Sequence, residues 1–404
     1  MFKFEKHVII NHMKILFITD LYPIKEGERT TPLALHNFVI EWIKQGHEVD
    51  VIKPNFIFNS FLRGKPFYNK DFYDFEGVKI FNVNYFTPFL GNVTKKLPDS
   101  IDVGNYDVII SHMPSGTIFA DKLAKKFNKP LVCGVHHSDI EILIKPIYKF
   151  YFREKLVEAY KNSKKIACRS FILQKKFGEI LPECARKCFV AASGVEIDAK
   201  MQRCKDAKQK RLCHCEERSD EAIQNGSPFT IHHSPFTVLT CANLIKRKNI
   251  DKLIMAVKDL DGFELKIIGD GKELKNLKRM MVSLAHQQKI NFLGRLEHEK
   301  ALEEMQNSDI FILPSVNETF GLVYLEAMAS GCITVCTKND GIDEIIKDNE
   351  NGFLTEPTVE GIKQTLLRIK NNDNLEQILS NSLETIKNYT SEICAKKYLN
   401  NLMD

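Results

Sequence analysis

The chain has 404 residues, more than a single hydrophobic core usually organises, so two domains are expected. Its apolar fraction of 44% and charged fraction of 27% are typical of a globular protein. A net charge of +5 is too small to indicate a nucleic-acid partner, and no apolar run approaches the roughly 18 residues of a membrane span. The 11 cysteines are scattered, several beside apolar strands, which indicates reduced thiols in a cytoplasmic protein rather than a disulfide scaffold.

Short apolar segments alternate with amphipathic ones along the first half of the chain. The first strand is predicted at residues 14–19, and residues 1–12 are expected to be an extension that precedes the fold. The first helix is predicted at residues 31–45, with Trp42 on its apolar face. Further strands are predicted at residues 46–52, 78–83, 106–111, 130–135, 164–168 and 187–191, and a helix at residues 117–127. This β-α alternation predicts a parallel sheet with helices on both faces.

A second alternating series begins near residue 237. The predicted strands lie at residues 237–241, 264–268, 290–293, 309–313 and 333–336, and the predicted helices at residues 251–260, 273–286 and 322–330. The predicted fold class is therefore α/β, with two Rossmann-like domains whose parallel sheets face each other across a cleft. The first domain is expected to cover residues 13–199 and the second residues 236–386.

Residues 201–235 interrupt the alternation. They are polar and charged, and the sequence Ser-Pro-Phe-Thr of residues 227–230 recurs at residues 234–237. We predict a flexible insert between the domains, whose deletion over residues 205–232 should leave function intact. The alternative is a metal site, although its C-x-C spacing is not the C-x2-C of structural zinc. The residues of that alternative site would be Cys213, His214, Cys215, His232 and His233.

The segment at residues 314–336, PSVNETFGLVYLEAMASGCITVC, is the most informative part of the chain. Glu318 lies on the loop after a buried strand, where open α/β sheets bind their ligands. Glu326 lies on an apolar helix, where an ionised carboxylate needs partners. A carboxylate can accept hydrogen bonds from both hydroxyls of a ribose, and the helix start after Gly321 offers N–H groups to a phosphate. The segment therefore favours a sugar nucleotide; the alternative is that Glu318 caps the helix and Glu326 reaches solvent.

This segment resembles the E-x7-E signature of retaining glycosyltransferases of family 4, which have the GT-B fold. The likeness includes Glu-x-Phe-Gly, Glu-Ala-Met-Ala-Ser-Gly and a Gly-Ile-x-Glu turn at residues 341–344. It covers most of the chain, apart from the first dozen residues and the insert. It implies that a helix at residues 387–404 packs back onto the first domain.

The resemblance implies a site for a nucleoside-diphosphate sugar. Glu318 would be catalytic, positioning the transferred sugar during front-face transfer. The residues expected to bind the donor are Arg247, Lys248, Gly269, Gly271, Arg295, Glu318, Phe320, Gly321, Leu322 and Glu326. No metal or other cofactor is expected, because Lys248, Arg247 and the helix start would neutralise the leaving diphosphate.

Two residues of the basic turn depart from the family pattern. Asn249 replaces the glycine that usually follows the lysine matched by Lys248, and Asn243 stands where the family often has arginine. Arg247 is therefore the candidate substitute for that arginine. The simpler interpretation is a solvated basic turn.

In the first domain, His136 follows a buried strand and matches the family's histidine on the acceptor side, which makes it the second catalytic candidate. His137 leaves a shift of one position open, and a hydrogen-bonded loop histidine is the simpler interpretation. The loop at residues 21–31 has Gly27 alone where relatives often carry Gly-Gly, which leaves the acceptor contacts unassigned.

Basic and aromatic residues alternate at residues 145–176, which predicts a surface for an anionic membrane; an amphipathic helix covering the sheet is the alternative. We predict a retaining glycosyltransferase that uses a glycan or lipid-linked acceptor in polysaccharide or lipopolysaccharide synthesis. It would be cytoplasmic, with a peripheral position on the inner face of the cell membrane. The alternatives are a GT-B sugar-nucleotide epimerase and a degenerate relative that binds sugar nucleotides without catalysis.

Overall fold

The computed structural model describes residues 12–22, 33–56, 72–86, 93–94, 97–148, 152–197, 235–282 and 289–403. The chain divides into two compact units: Met1–Gly194 with Ser391–Asp404, and Val195–Thr390. The predicted insert lies outside the described residues apart from Pro235, as do Gly27 and its neighbours in the loop after the first strand.

The first unit contains a sheet of nine strands in the described residues. They are β1 (Lys14–Thr19), β2 (Glu48–Phe56), β3 (Phe72–Phe75), β4 (Val78–Phe86), β5 (Val93–Thr94), β6 (Val108–His112), β7 (Leu131–Val135), β8 (Lys165–Cys168) and β9 (Cys188–Val190). Their order is β3-β4-β2-β1-β6-β7-β8-β9, and β5 pairs with β4. Only the pairs of β4 with β3 and β5 are antiparallel among these strands.

Among its described residues, the second unit contains a sheet of six parallel strands in the order β12-β11-β10-β13-β14-β15. They are β10 (Phe236–Cys241), β11 (Phe263–Ile268), β12 (Ile290–Gly294), β13 (Ile310–Leu313), β14 (Ile333–Thr337) and β15 (Phe353–Thr355). Since β10 lies between β11 and β13, the chain reverses its direction across the sheet there. Such a switch point is where doubly wound sheets bind ligands at their carboxyl edge.

Helices cover these sheets. In chain order they are α1 (Ala34–Lys44), α2 (Pro114–Phe127), α3 (His137–Ile144), α4 (Phe152–Asn162), α5 (Phe171–Ile180), α6 (Ile250–Val257), α7 (Leu274–Val282), α8 (His298–Gln306), α9 (Leu322–Ala329), α10 (Val359–Lys370), α11 (Leu375–Ile386) and α12 (Ser391–Met403). Short 3-10 turns connect several of them, including Lys246–Lys248 after β10.

Helix α12 belongs to the first unit although the second unit precedes it in the chain. The indole Nε1–H of Trp42, on α1, donates to the carbonyl oxygen of Ala395 on α12 at 3.1 Å. Trp42 is fully buried, so this hydrogen bond joins the two helices inside the core.

The predicted α/β fold with parallel sheets is confirmed. The buried strands were predicted well because residues such as Ile15 to Ile18 are apolar on both faces and wholly buried. Differences fall at element ends: the predicted helix at residues 117–127 begins at Pro114, and the predicted strand at residues 106–111 begins at Val108. Pro114 fits the first turn of a helix because its missing N–H has no partner there.

The described cysteines are all free, and most are buried. Within the described ranges, no helix has the length and apolarity needed to cross a bilayer.

Candidate active site

Glu318 lies on the loop between β13 and α9, beside the turn that follows β10. The two loops are tied by their backbones: the Val316 N–H donates to the Arg247 carbonyl at 2.9 Å. The Asn249 side-chain amide donates to the Pro314 carbonyl at 2.8 Å. Because β10 and β13 are neighbours, their carboxyl ends bring these two loops to one edge of the sheet.

Asn249 occupies the position where the resembled family has glycine. Its φ of 52° lies in the left-handed region, which asparagine tolerates better than most residues with a side chain. The substitution therefore preserves the turn geometry, and the new side chain adds the bond to Pro314 described above.

Two cations converge on the Glu318 carboxylate. Lys248 Nζ forms an ion pair with Glu318 Oε2, and Arg247 Nη1 lies 3.4 Å from the same oxygen. The side chains of Lys248 and Glu318 are 10% and 12% exposed, whereas that of Arg247 is 40% exposed. The pair of Lys248 and Glu318 is thus nearly buried, with Arg247 at its solvent side.

Burial and charge oppose each other in setting the pKa of Glu318. Burial raises the pKa of this carboxyl, but the charge and hydrogen bond of Lys248, with Arg247, outweigh it and hold the pKa below its usual value. Burial also lowers the pKa of Lys248, against the opposing effect of Glu318. Glu318 is therefore an ionised carboxylate at neutral pH.

The backbone at Glu318 is fixed by a residue that the sequence analysis did not single out. Asp340, in the turn after β14, accepts from the Glu318 N–H at 3.0 Å and from the Gly341 N–H at 2.9 Å. The signal that could have found it is its place directly before the Gly-Ile-x-Glu turn, at the carboxyl end of a buried strand.

The helix that follows Glu318 begins at a strained position. Gly321 has φ of 90°, and a Cβ there would lie 2.5 Å from the ring of Tyr324, so only glycine fits. The Tyr324 hydroxyl in turn donates to the Leu313 carbonyl at 2.7 Å, which ties α9 to the end of β13. The start of α9, with Leu322 as its first residue and Phe320 just before it, is thereby fixed at the sheet edge.

The glycines after β11 pack against the loop that follows β10. Gly269 has φ of 139°, and a Cβ there would lie 1.9 Å from the Ala242 carbonyl oxygen. Its N–H donates to the Gly294 carbonyl at 2.8 Å, so the loop carrying Arg295 starts beside it. A Cβ at Gly271 would lie 2.5 Å from the Leu244 carbonyl oxygen.

Glu326 has a partner that the sequence did not reveal. His298 Nε2, at the start of α8, lies 3.1 Å from Glu326 Oε1. The Glu326 side chain is 17% exposed and that of His298 is 65% exposed. The hydrogen bond to Glu326 raises the pKa of His298 above its ordinary value.

In the first unit, His136 lies between β7 and α3, and caps the start of that helix. Its backbone N–H donates to Asp139 Oδ2 at 2.9 Å, and Asp139 Oδ1 accepts from the Tyr160 hydroxyl at 2.7 Å. His136 is 8% exposed. Burial, with a smaller effect of Arg169, lowers the pKa of His136 to about 3, so its imidazole is neutral at physiological pH.

His137 lies in a different environment. It is the first residue of α3 and partly exposed, and its Nε2 lies 3.9 Å from Glu141 Oε1. The buried member of the pair is therefore His136.

Among the predicted site residues, the structure brings the side chains of Arg247 and Lys248 into contact with Glu318. Glu326 pairs with His298, which was not a predicted site residue. Within the described ranges, no group of three or more His, Cys, Asp or Glu side chains could hold a metal ion. The alternative zinc site, at residues 213–215 and 232–233, lies outside those ranges.

Comparison with protein-family models matches both units. The model for glycosyl transferases group 1 matches residues 225–385, and the model for glycosyltransferase family 4 matches residues 34–198. The chain therefore belongs to the family 4 (group 1) glycosyltransferases, as its motif predicted. It is a glycosyltransferase.

Related sequences carry the same assignment. An uncharacterized glycosyltransferase of Methanocaldococcus jannaschii is 29% identical over 332 residues, which covers 80% of this chain and 83% of that protein. The alpha-monoglucosyldiacylglycerol synthase of Acholeplasma laidlawii is 29% identical over 171 residues. That alignment spans only 41% of this chain and 43% of the synthase.

The fold is that of known GT-B glycosyltransferases. The structure of Anabaena HepE in complex with UDP has a TM-score of 0.68 and 17% sequence identity, covering 97% of this chain and 100% of HepE. The predicted GT-B fold class is thereby confirmed.

Proposed function

We propose that this protein transfers a sugar from a nucleoside diphosphate to a glycan or lipid-linked acceptor, with retention of configuration at the anomeric carbon. The observation that carries the proposal is the convergence of Lys248 and Arg247 on the ionised Glu318, at the carboxyl edge of the second sheet.

The donor would follow the same edge of that sheet. Its diphosphate would lie by Lys248, Arg247 and the start of α9, where positive charge and backbone N–H groups are available. The ribose would bind to Glu326, and the base would lie near the loops of Gly269 and Arg295. HepE, which shares the fold, has been solved with UDP-glucose as well as with UDP, which supports a donor of this class.

The charges fit the demands of the reaction. When the bond between the sugar and the diphosphate breaks, negative charge grows on the leaving phosphate and positive charge on the anomeric carbon. Lys248 and Arg247 would stabilise the first, so that no metal is needed there, and the Glu318 carboxylate would stabilise the second. His136, the match to the family's acceptor-side histidine, would act as a neutral imidazole. Such groups act strongly because they are already fixed before the reaction.

The acceptor class is inferred from relatives and from an exposed surface. Two matched relatives are alpha-monoglucosyldiacylglycerol synthases, and another is a lipopolysaccharide core glycosyltransferase of Rhizobium meliloti. In this chain Ile144 and Ile147, beside Lys145, are 58% and 83% exposed. Exposed apolar and basic side chains side by side suit an anionic membrane surface, where a lipid-linked acceptor would be found.

The first test is the thermal stability of the purified protein with UDP, GDP, ADP, CMP and their common sugars. A ligand at 100 times its dissociation constant stabilises the folded state by about 2.7 kcal/mol. We expect one nucleotide to raise the melting temperature. Absence of a shift with every nucleotide would contradict the donor assignment.

The second test determines the anomeric configuration of the product by proton NMR, using the donor that the first test identifies. Retention supports the proposal, and inversion refutes it. Release of an epimerised free sugar without acceptor would instead identify an epimerase.

A further inference from the structure

A chain of hydrogen bonds reaches His136 from the C-terminal helix. The Tyr398 hydroxyl, on α12, lies 3.1 Å from His112 Nε2. His112 Nδ1 lies 2.9 Å from His136 Nε2. Tyr398 and His112 are 1% and 0% exposed, so this chain is shielded from water along its length.

The fold contains a space for this arrangement. His112 ends β6 and His136 follows β7, and these strands are parallel neighbours. Gly134 lies on β7, and a Cβ there would lie 2.0 Å from His112 Nδ1. The ring of His112 can therefore lie over β7, within reach of His136, only because residue 134 has no side chain.

Aromatic packing fixes Tyr398, at the other end of this hydrogen-bond chain. The ring of Tyr398 lies 5.2 Å from Trp42, 5.3 Å from Phe38 and 5.3 Å from Phe189, measured between centroids. The three contacts are edge-to-face, with interplanar angles of 64° to 89°, an arrangement that aromatic rings favour. The hydroxyl of Tyr398 is thus held at a defined place beside His112.

The two imidazoles of this hydrogen-bond chain, those of His112 and His136, are both neutral. Burial, together with His136 and Arg169, lowers the pKa of His112 well below its ordinary value. A neutral imidazole has one donor and one acceptor nitrogen, so a hydrogen bond on one nitrogen decides the role of the other. The hydrogen bond with His112 therefore holds the ring orientation of His136 and couples the tautomers of the two rings, because one ring must donate and the other accept.

We propose that His112 and Tyr398 are positioning residues for His136, which makes the C-terminal helix part of the machinery that acts through this histidine. This inference rests on the proposed role of His136. Neither residue needs to touch the substrate. Their effect passes through the orientation and tautomer of one imidazole.

The test uses Tyr398→Phe in the full-length protein, because this change removes the hydroxyl and keeps the ring. With UDP-glucose as the donor probe and UDP release as the assay, we expect kcat to fall about 10- to 100-fold, since catalytic groups tolerate little misplacement. KM for UDP-glucose should change less than about twofold, because donor affinity depends mainly on uniform binding at the second unit. His112→Asn should give a loss of kcat at least as large.

The matched control is Tyr106→Phe. Tyr106 is also a buried tyrosine of the first unit, and its hydroxyl donates to Asp50 Oδ2 at 2.7 Å. Both variants lose one hydroxyl hydrogen bond, so both should lose similar stability, and only Tyr398→Phe should lose kcat. Equal kcat in the two variants would overturn the inference.

A second readout needs no substrate. Nitrogen-15 NMR of labelled histidine reports the tautomer of His136, assigned with the His136→Ala variant. We expect one neutral tautomer in the wild-type protein and a shifted or mixed population in Tyr398→Phe. Identical spectra would overturn the inference.

The failure of the proposed role of His136 would look different. If His136→Ala keeps full turnover, that role is wrong and the inference falls with it. If His136→Ala is inactive while Tyr398→Phe matches Tyr106→Phe, only the inference is wrong.

Discussion

Lys248 and Glu318 are separated by 70 positions in the sequence and form a nearly buried ion pair at the edge of the second sheet. Each lies on a loop after a strand, and the two strands, β10 and β13, are hydrogen-bonded neighbours. Burial of both partners means that neither charge is compensated by water alone. The residues that stabilise this edge of the sheet are therefore the same charged residues that we propose to bind the donor.

The first prediction concerns Lys248. Lys248→Ala should weaken nucleotide binding at least tenfold, because it removes the buried cation proposed to meet the diphosphate. It should also lower the free energy of unfolding by about 3 kcal/mol, since Glu318 keeps only the more exposed Arg247 as partner. Isothermal titration calorimetry and urea unfolding would measure the two effects. Lys246→Ala, an exposed lysine of the same turn, is the control for charge alone; equal affinity in the two variants would refute the assignment.

The second prediction separates the two adjacent histidines. His136→Ala should lower turnover by about 100-fold while leaving nucleotide affinity close to that of the wild-type protein. His137→Ala, on the partly exposed side of the pair, should change turnover less than about threefold. Steady-state kinetics and nucleotide titration would measure these effects. Equal losses of turnover and affinity in His136→Ala would indicate a structural role instead.

The third prediction concerns pH and Glu326. His298 is held by Glu326, and the raised pKa of His298 means that the contact is strongest at low pH. Its contribution to stability is present below about pH 6.5, the ordinary histidine value, and is lost as pH rises through the folded-state pKa. If the ribose needs Glu326, nucleotide should therefore bind more tightly as the pH rises through that range.

Comparison with His298→Ala isolates this effect. The titration of the nucleotide phosphate is common to both proteins, so the ratio of their dissociation constants reports His298 alone. We expect His298→Ala to bind the nucleotide more tightly than the wild-type protein at pH 6, and the two proteins to bind it equally at pH 9. A ratio that is constant with pH would show that His298 does not compete with the ribose.

The fourth prediction concerns Asp139, which accepts from the His136 N–H. Burial raises the pKa of Asp139 to about 7, against the opposing hydrogen bond from Tyr160. Because the folded state holds this proton more tightly than the unfolded state, Asp139 costs stability as pH rises from about 4 to about 7. The free energy of unfolding of wild type should therefore fall relative to Asp139→Asn across that window, by at most about 1.4 kcal/mol per pH unit. Urea unfolding at pH 5 and pH 8 would test this; a pH-independent difference between the two proteins contradicts it.

The fifth prediction concerns the exposed apolar surface of the first unit. Ile147→Glu should reduce co-flotation with vesicles that contain anionic lipid, because it replaces an 83% exposed apolar side chain with a negative charge. Phe72→Glu, at a 51% exposed position on β3, is the matched control. If wild type fails to float, or if both variants float equally, this surface does not bind membranes.

Much of the fold could be predicted from the sequence because strands such as β1 and β13 are continuous apolar runs that fit only a doubly covered sheet. Helices with a mixed surface, such as α10 and α11, were not predicted, since their apolar positions are spaced among many polar ones. The short antiparallel strand β3 was missed for a related reason: it is a half-exposed edge strand with a weak pattern.

The sequence by itself determined the class of protein, because residues 314–336 resemble the E-x7-E signature of family 4 glycosyltransferases, in which a carboxylate, a glycine and a helix start follow one another along the chain. Local spacing settles such relations since they depend on one strand, one loop and one helix. Only the tertiary structure decided the partners across the fold: Lys248 for Glu318, His298 for Glu326, and Tyr398 with His112 for His136. These pairs depend on the order of the strands and on the return of the last helix to the first unit. The packing of distant segments determines these two features, and no local sequence pattern does.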